Sequence, residues 1–592
     1  MTREPNPDFD RYMIALHRGE PDRVPLGDWH VDTSLKARFL GRNLERIEDE
    51  IDFCYRAGFD YVPQFAGLLT WPHGPAQSAS VLRDRKVSAD GDQSERVWAG
   101  ERENVVTSWE QFKKYTWPTA DDFKFSQFKA LDRLLPKGMK AIPVLGRIFT
   151  SVWLYMGADV FFEALGSNEE LVAALFDKIG NLQYETLLRL TEHSSVGAIV
   201  SNDDCAHNTG LLIHPKYLRK YMFPWYQKFG EVCRQKGWGF VFHSDGEISE
   251  IMDDIIACGF DGFHPVQPNA MDIVETKKKW GDRLCLLGNI NLDSTLTLGT
   301  PEDVRSEVYE RIRTVGPGGG YMVASSNSVT NYVPFENMKA MFNATFEFGK
   351  YPIQLPDRGY ADTTFKTRSR TEFQQKVESL PGLNAADYVR VFLDDNLPEA
   401  IELVERHIAA GVKPSDVLSK GMVQAMAIIG GKFQSGEIYI PEMIMAARTM
   451  SSTVGHFKDL LTAKSEVVSG RVVMGTVKGD LHDIGKNLVI MMLEGQGLTV
   501  HDLGIGVHES RFVEAVRDEK PDVLAMSALL TSTMTEMKVV IDALTNAGLR
   551  DAVKIIVGGA PVTAEFAARI GADAYAFDAP EAAQKCKELL SK

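Results

Sequence analysis

The sequence predicts an α/β protein with three folded parts: a (β/α)8 TIM barrel, a four-helix bundle and a doubly wound, flavodoxin-like domain. Three observations predict this fold class. From about residue 8 to residue 350, short apolar strands alternate with amphipathic helical segments, as they do in a barrel. Residues 385–465 show only helical periodicity. After residue 466 strands and helices alternate again, now around one glycine-bearing loop.

Length and charge narrow the class of protein. At 592 residues the chain exceeds what one hydrophobic core organises. We expect a barrel at 1–350, a linker at 351–384, a helical bundle at 385–465 and a last domain at 466–592. The net charge of −16 disfavours nucleic acid and anionic membranes as partners. The chain has neither a bilayer-length apolar run nor a signal-peptide pattern, so we expect a cytoplasmic protein. Its six scattered cysteines disfavour a disulfide framework.

Six apolar segments are the best candidates for barrel strands: residues 141–145, 198–200, 239–242, 262–263, 284–287 and 321–324. In a barrel, chemistry is found at the carboxyl ends of the strands. Four successive ends carry His, Asp or Asn here, at residues 201–208, 243–246, 264–268 and 288–291. For any one position, helix capping by Asp, Asn or Ser is the alternative. The candidate catalytic residues are His243, Asp245, Asp203, Asp204 and His207.

One loop organises the last domain. Residues 479–487 lie between the apolar run 471–477 and the helix-period segment 488–493, which predicts strand, loop and helix. Asp480 precedes His482 by two residues. A carboxylate that holds one imidazole nitrogen leaves the other free as a metal ligand. Taken alone, a solvated turn is the alternative.

This loop and two later motifs resemble the cobalamin-binding domain of methionine synthase and the corrinoid proteins. Their signature is Asp-x-His-x-x-Gly, then Ser-x-Leu, then Gly-Gly, found here at 480–485, 527–529 and 558–559. The resemblance implies that His482 is the lower axial ligand of cobalt, that Asp480 hydrogen-bonds His482, and that Ser527 hydrogen-bonds Asp480. A response-regulator-like or flavodoxin-like domain of the same topology is the alternative.

The same resemblance implies further cofactor-binding residues. Glycines would leave room for the displaced nucleotide tail of the corrinoid. Residues 433–442 resemble the cap over the upper face of methylcobalamin, with Phe433 and Ile438 near the cobalt-bound methyl group. The full implied set is Asp480, His482, Asp483, Gly485, Ser527, Leu529, Gly558, Gly559, Phe433 and Ile438.

The first 350 residues resemble the uroporphyrinogen decarboxylase superfamily, which includes barrel methyltransferases that act with corrinoid proteins. The motifs are Arg11 with residues 15–16, and residues 20–25, 203–204, 214–217, 223–224, 243–246, 288–290 and 334–338. Members that use a thiol acceptor bind zinc through His-x-Cys and a later cysteine. This chain has His243-x-Asp245 and, later, Ser325-Ser326-Asn327. The departure disfavours a thiol acceptor and leaves metal binding, zinc included, open.

Together the two resemblances imply a methyltransferase that moves a methyl group from a small donor to Co(I) of its own corrinoid. The fusion most resembles the chloromethane methyltransferases, so a methyl halide is the favoured donor and a methoxylated aromatic compound the alternative. A separate methyltransferase would pass the group to a pterin, and a reductase would reactivate the corrinoid.

Three other classes are disfavoured. An adenosylcobalamin mutase lacks a helical cap of this type, a B12 sensor needs no polar strand ends, and a plain decarboxylase needs no cobalt. The sequence leaves the identity of the donor and homo-oligomer formation open.

Overall fold

The structure is a computed structural model. It describes the chain except residues 1–3, 71–81, 88–92, 99–104, 124, 209, 360–382, 458–469, 479, 481–483, 495, 529–530, 560–561 and 591–592. The chain forms two compact units. The first comprises Met1–Gly157 and Asn168–Thr367, and the second Ala158–Ser167 and Arg368–Lys592. Most of the expected linker, 351–384, lies outside the described residues.

The first unit is built on a seven-stranded parallel sheet whose strands pair in chain order. They are β1 Tyr61–Phe65, β2 Lys140–Gly146, β3 Ala198–Asn202, β4 Gly239–His243, β5 Gly262–His264, β6 Cys285–Ile290 and β7 Tyr321–Ser325. β3 to β7 are buried along their whole length, as expected for parallel strands covered on both faces.

A segment near the N-terminus completes this sheet. Leu26 forms a parallel bridge with Val323 of β7, and the Tyr61 hydroxyl of β1 donates to the Asp28 carbonyl at 2.7 Å. Residues around Leu26 therefore lie between the last strand and the first. This is the position of the eighth strand in a closed barrel. Buried ion pairs from Arg11 and Arg23 to Asp60 tie the N-terminal residues to the start of β1.

Helices cover the barrel strands. Thr300 and Asp303 cap one of them reciprocally, with proline at its first position. The α-helices of this unit are Phe9–Leu16, Thr33–Leu40, Ile47–Ala57, Trp109–Lys114, Ser126–Leu134, Phe149–Met156, Glu169–Leu190, Pro215–Tyr217, Phe223–Lys236, Met252–Ala257, Ile273–Trp280, Pro301–Val315 and Phe335–Phe348. Two antiparallel pairs, Leu82–Val87 with Gln93–Trp98 and Ala206–His207 with Gly210–Leu211, stand apart from the main sheet.

The second unit begins with a helical bundle. Its helices are Ala158–Ser167, Ala385–Leu393, Leu397–Ala409, Pro414–Asp416, Val423–Gln434 and Ile440–His456, with a π-helical turn at Val417–Met422. The Tyr388 hydroxyl and His407 Nδ1 are 2.9 Å apart inside the bundle, which pairs two buried polar groups. Residues 158–167, within the range expected for the barrel, group with this bundle.

A doubly wound domain completes the second unit. Its strands are β8 Arg471–Thr476, β9 Thr499–Asp502, β10 Val523–Ser527, β11 Lys554–Gly558 and β12 Ala574–Ala576. All are parallel, in the order β9-β8-β10-β11-β12, which is the flavodoxin-like order. Its helices are Ile484–Glu494, Glu509–Glu519, Thr531–Asn546, Ala564–Ile570 and Ala579–Leu590.

The predicted fold class is confirmed, and all six predicted barrel strands lie within or overlap observed ones. Four strands run further than predicted, into residues that the sequence placed after them: β3 includes Ser201 and Asn202, β4 includes His243, β5 includes His264, and β6 runs on through Gly288, Asn289 and Ile290. The prediction also missed β1 and the segment around Leu26. Among the helices that the structure describes, none combines the length and apolar character needed to cross a bilayer.

Candidate functional site

The carboxyl ends of three neighbouring barrel strands are aligned. Asn202 pairs with His243, and His243 pairs with His264, so the last residues of β3, β4 and β5 lie side by side. All three side chains are buried. Parallel strands in register bring their following loops together, which is why polar residues far apart in the sequence meet here.

Asp204, His243 and Asp245 form a cluster at this edge. Each offers one ligand atom, and these atoms all lie within 4.8 Å of one another. His243 Nε2 is 3.7 Å from Asp204 Oδ1 and 4.0 Å from Asp245 Oδ1, too far for hydrogen bonds. Backbone N–H of Asp245 donates to Asp204 Oδ1 at 3.1 Å, and the Asn327 amide donates to Asp245 Oδ2. The two carboxylates are therefore oriented by neighbours while the imidazole faces them.

A chain of ring contacts assigns the tautomer of His243. The Trp29 indole N–H lies 3.3 Å from His264 Nδ1, and His243 Nδ1 lies 2.7 Å from the same atom. An indole can only donate, so His264 Nδ1 accepts and His243 donates from Nδ1. His243 Nε2 then carries a lone pair toward Asp204 and Asp245.

Both histidines are neutral at physiological pH. Burial lowers the pKa of His243 to about 4, although Asp204 raises it, and the charge of Arg147 lowers it further. Burial holds the pKa of His264 well below its ordinary value, and the neighbouring His243 lowers it further. A neutral imidazole nitrogen that faces two carboxylates is typical of a cation-binding site. The nitrogen and oxygen ligands fit a divalent cation.

Asp203 has a different environment from Asp204. Its carboxylate accepts hydrogen bonds from backbone N–H of Ile148, Phe149 and Thr150, and from the hydroxyls of Thr150 and Tyr226, at 2.7–2.9 Å. Asp203 therefore holds the start of the helix Phe149–Met156. These bonds place it as a positioning residue beside the cluster.

His207 also lies outside the cluster. It sits on the short strand Ala206–His207, and desolvation lowers its pKa to about 4. Of the five predicted catalytic residues, the structure brings together Asp204, His243 and Asp245.

Sequence reasoning missed Trp29, His264 and Asn327 as members of this site. His264 stood at a recognised strand end, so its position was the available signal. Trp29 lay in a segment not recognised as part of the sheet. Asn327 was noted only as part of residues 325–327, near the position where the resemblance implies a later cysteine, and its amide donates to Asp245.

The second candidate site lies at the carboxyl edge of the doubly wound sheet. Thr476 of β8, Ser527 of β10 and Gly558 of β11 share one row of the register. Asp480 follows β8 and is fully buried, and its backbone carbonyl accepts from Gly506 N–H at 2.8 Å. This is the edge where open α/β sheets bind ligands.

The Asp480 carboxylate accepts a hydrogen bond from the hydroxyl of Thr533. The sequence predicted a hydrogen bond from Ser527 to this carboxylate and did not single out Thr533, which belongs to none of the three motifs. His482, Asp483 and Leu529 lie outside the described residues.

The glycines of this edge have different surroundings. Gly559 has φ +125°, and a Cβ there would lie 1.9 Å from the Ala528 carbonyl oxygen, so only glycine fits. Gly485 is exposed and has open space around it. In the helical bundle, Phe433 is buried and Ile438 half-buried.

Comparisons with known proteins identify both parts of the chain. Residues 102–348 match the family described as uroporphyrinogen decarboxylase (URO-D), and residues 388–458 and 470–586 each match a B12 binding domain. The dimethylamine corrinoid protein of Methanosarcina barkeri is 43% identical over 181 residues, or 30% of this chain and 85% of the relative. The trimethylamine corrinoid protein of that organism is 42% identical over 200 residues, or 33% and 91%.

Among solved structures, a cobalamin-binding protein from Desulfitobacterium hafniense DCB-2 is 31% identical. The match covers 35% of this chain and 98% of that one, with a TM-score of 0.31. Fold, site and family matches together define a corrinoid-dependent methyltransferase, in which a URO-D-like barrel and B12-binding domains share one chain. The chain belongs to the family of corrinoid proteins. The predicted corrinoid cofactor and enzyme class are thereby confirmed.

Proposed function

We propose that the barrel unit takes the methyl group of a small aromatic methyl ether and delivers it to the reduced corrinoid of the same protein. The observation that carries the proposal is the cluster of Asp204, His243 and Asp245 at the strand ends of the URO-D-like barrel. When bound, the corrinoid supplies Co(I), a strong nucleophile toward methyl groups. The task left to the barrel is to position the donor and to help its oxygen leave.

The cluster supports an ether better than the methyl halide favoured by the sequence. A halide leaves as a stable anion, whereas an alkoxide or phenoxide needs a proton or a cation on its oxygen. Trp29, His30 and Phe65 add an aromatic surface, with ring centroids 5.7–6.1 Å apart. His30 and Phe65 are half-buried, so this surface is not sealed off from solvent. An aromatic donor is the partner that such a surface suits.

Within this proposal, Asp204, His243 and Asp245 hold a divalent cation, zinc being one option. A cation there supplies Lewis-acid stabilisation of the leaving oxygen. The protein contributes the orientation: Trp29 and His264 fix the imidazole tautomer, and Asn327 fixes the Asp245 carboxylate.

For the corrinoid module, we propose His482 as the lower cobalt ligand and Asp480 as its hydrogen-bond partner. Thr533 holds the Asp480 carboxylate, which supports a built relay rather than a solvated turn. Phe433 and Ile438 would cover the upper face, and Asp483, Gly485, Ser527, Leu529, Gly558 and Gly559 would surround the lower face and nucleotide tail. Onward transfer to a pterin by a separate methyltransferase and reactivation by a reductase complete the proposed cycle.

The test follows the corrinoid spectrum under anaerobic conditions. The reconstituted protein is reduced to Co(I) and mixed with methoxybenzene, 3-methoxybenzoate or chloromethane in separate runs. We expect rapid loss of the Co(I) absorbance with an aromatic ether, abolished in His243→Ala while corrinoid is retained. His17→Ala, at an exposed histidine outside the cluster, is the control and should leave the rate unchanged.

Three outcomes would contradict the proposal. Equal rates with and without the ethers would rule out O-demethylation, and a rate with chloromethane alone would return the donor to the methyl halides. Full activity in His243→Ala would remove the cluster from the chemistry.

A further inference from the structure

Arg147 stands at the end of β2 in an unusual backbone conformation. Gly146, the last residue of the strand, has φ +123°, and Arg147 has φ +62°. Residues other than glycine rarely adopt a positive φ. Where one does, the surrounding structure enforces the conformation. The chain therefore turns sharply where β2 meets the carboxyl edge of the barrel.

Several contacts enforce this turn. Arg147 N–H donates to the Asn202 carbonyl of β3 at 2.8 Å, and the buried Gln183 amide donates to the Gly146 carbonyl. The backbone N–H groups of the next two residues, Ile148 and Phe149, donate to the Asp203 carboxylate. A Cβ on Gly146 would lie 2.9 Å from the Asn202 nitrogen, so glycine is required there. Buried polar groups therefore hold the backbone of Arg147 in place at this edge.

The Arg147 side chain has a charge without a counterion. It is half-buried, its Nε is fully buried, and within the described part of the chain this Nε has no hydrogen-bond partner and the guanidinium no ion pair. By contrast, the buried Arg11 and Arg23 both pair with Asp60. A partly buried guanidinium whose Nε–H is unsatisfied is stabilised when an anion accepts hydrogen bonds from it.

Arg147 also lies close to the proposed reaction centre. Gly146, the residue before it, pairs with Asn202 of β3, and Asn202 pairs with His243 of β4. β2 pairs with β1, which ends at the half-buried Phe65 of the aromatic surface. One barrel edge thus offers a cation, an aromatic surface and the Asp204, His243 and Asp245 cluster.

We propose that Arg147 binds a carboxylate on the methyl donor, so that the substrates are methoxylated aromatic carboxylates. A guanidinium recognises a carboxylate through two parallel N–H···O bonds, which fixes the orientation of the ring as well as its position. This inference rests on the proposed function, because the methyl ether is what the cluster would act on. It adds a specificity-determining residue that the sequence did not single out.

The test measures binding separately from turnover. Isothermal titration calorimetry on the corrinoid-loaded protein uses benzoate, which has no methyl group to transfer, and then 3-methoxybenzoate and methoxybenzene. The variants are Arg147→Gln, Arg147→Lys and, as a matched control, Arg234→Gln, whose side chain is 75% exposed. Thermal unfolding of each variant verifies that it is folded.

We expect both carboxylates to bind wild type and Arg234→Gln equally, and roughly 10- to 100-fold more weakly to Arg147→Gln, since that is the worth of a charge-assisted pair. Arg147→Lys keeps the charge without the fork and should retain part of the affinity. Equal affinity of wild type and Arg147→Gln for benzoate, or a wild type that binds methoxybenzene as tightly as 3-methoxybenzoate, would overturn the inference. Benzoate binding that depends on Arg147, without methyl transfer from any ether, would refute the proposed function and the methoxylated substrate, and would leave Arg147 as a carboxylate-binding residue.

Discussion

The buried carboxylate of Asp28 predicts how the stability of the barrel changes with pH. The side chain is buried, and Oδ1 accepts from the Ser325 backbone N–H at 2.9 Å and from its hydroxyl. The other carboxylate oxygen has no hydrogen-bond partner among the described residues. Burial raises the pKa of Asp28 from 3.8 to about 6, against the opposing effect of Ser325. Above pH 6 the folded barrel therefore contains an incompletely satisfied buried charge.

The sign of the pH effect follows from proton binding. Between pH 3.8 and 6 the folded chain holds a proton on Asp28 that the unfolded chain has lost, so the free energy of unfolding falls as pH rises. The full effect of this pKa difference is about 3 kcal/mol, and roughly half of it develops between pH 5 and pH 8. Asp28→Asn keeps the acceptor for Ser325 and removes the charge. Relative to wild type, this variant should gain about 1.5 kcal/mol over that pH interval.

Urea unfolding followed by tryptophan fluorescence measures this gain in the barrel alone, because all nine tryptophans lie within residues 29–280. The amide also leaves a buried N–H unsatisfied, which adds a constant cost, so the change with pH is the readout. Asp282→Asn is the control, because that side chain is 78% exposed and its charge is hydrated. A stability difference between Asp28→Asn and wild type that does not change from pH 5 to pH 8 would refute this account of Asp28.

Three further substitutions test other parts of the molecule. Thr533→Val removes the hydroxyl that donates to Asp480 and should weaken corrinoid retention about 10-fold, measured by equilibrium dialysis; unchanged retention would exclude the relay. Arg11→Met removes a buried ion-pair partner of Asp60 and should lower the free energy of unfolding of the barrel by about 3 kcal/mol, measured in urea. An unchanged urea midpoint would contradict this role of the ion pair. Gly559→Ala places a methyl group 1.9 Å from a carbonyl oxygen and should lower the melting temperature of the doubly wound domain. An unchanged melting temperature would contradict the requirement for glycine at this position.

The corrinoid domain was largely predictable because its signals are local. Strand β8, the loop holding Asp480 and the helix Ile484–Glu494 follow one another along the chain, and each has its own periodicity. Thr533 escaped prediction because a threonine at a helix start is normal, and only the fold brings its hydroxyl to Asp480, 53 residues away.

The barrel site was predictable only in part. Asp204, His243 and Asp245 follow strong apolar strands, and the barrel rule then places them at one edge. Arg147 gave no such signal, because its importance depends on a positive φ and on a missing counterion, neither of which can be read from residue types.

The sequence by itself determined the order of the domains, the class of each and the residues at most strand ends, since strand and helix periodicity depends on neighbours a few positions apart. The tertiary structure alone decided which polar groups meet: Trp29 reaches His264 across 235 residues, and Asn327 reaches Asp245 across 82. Such pairs form only when the sheet closes and brings its first and last strands together. That closure, rather than any motif, selects the tautomer of His243 and turns a row of strand ends into a site.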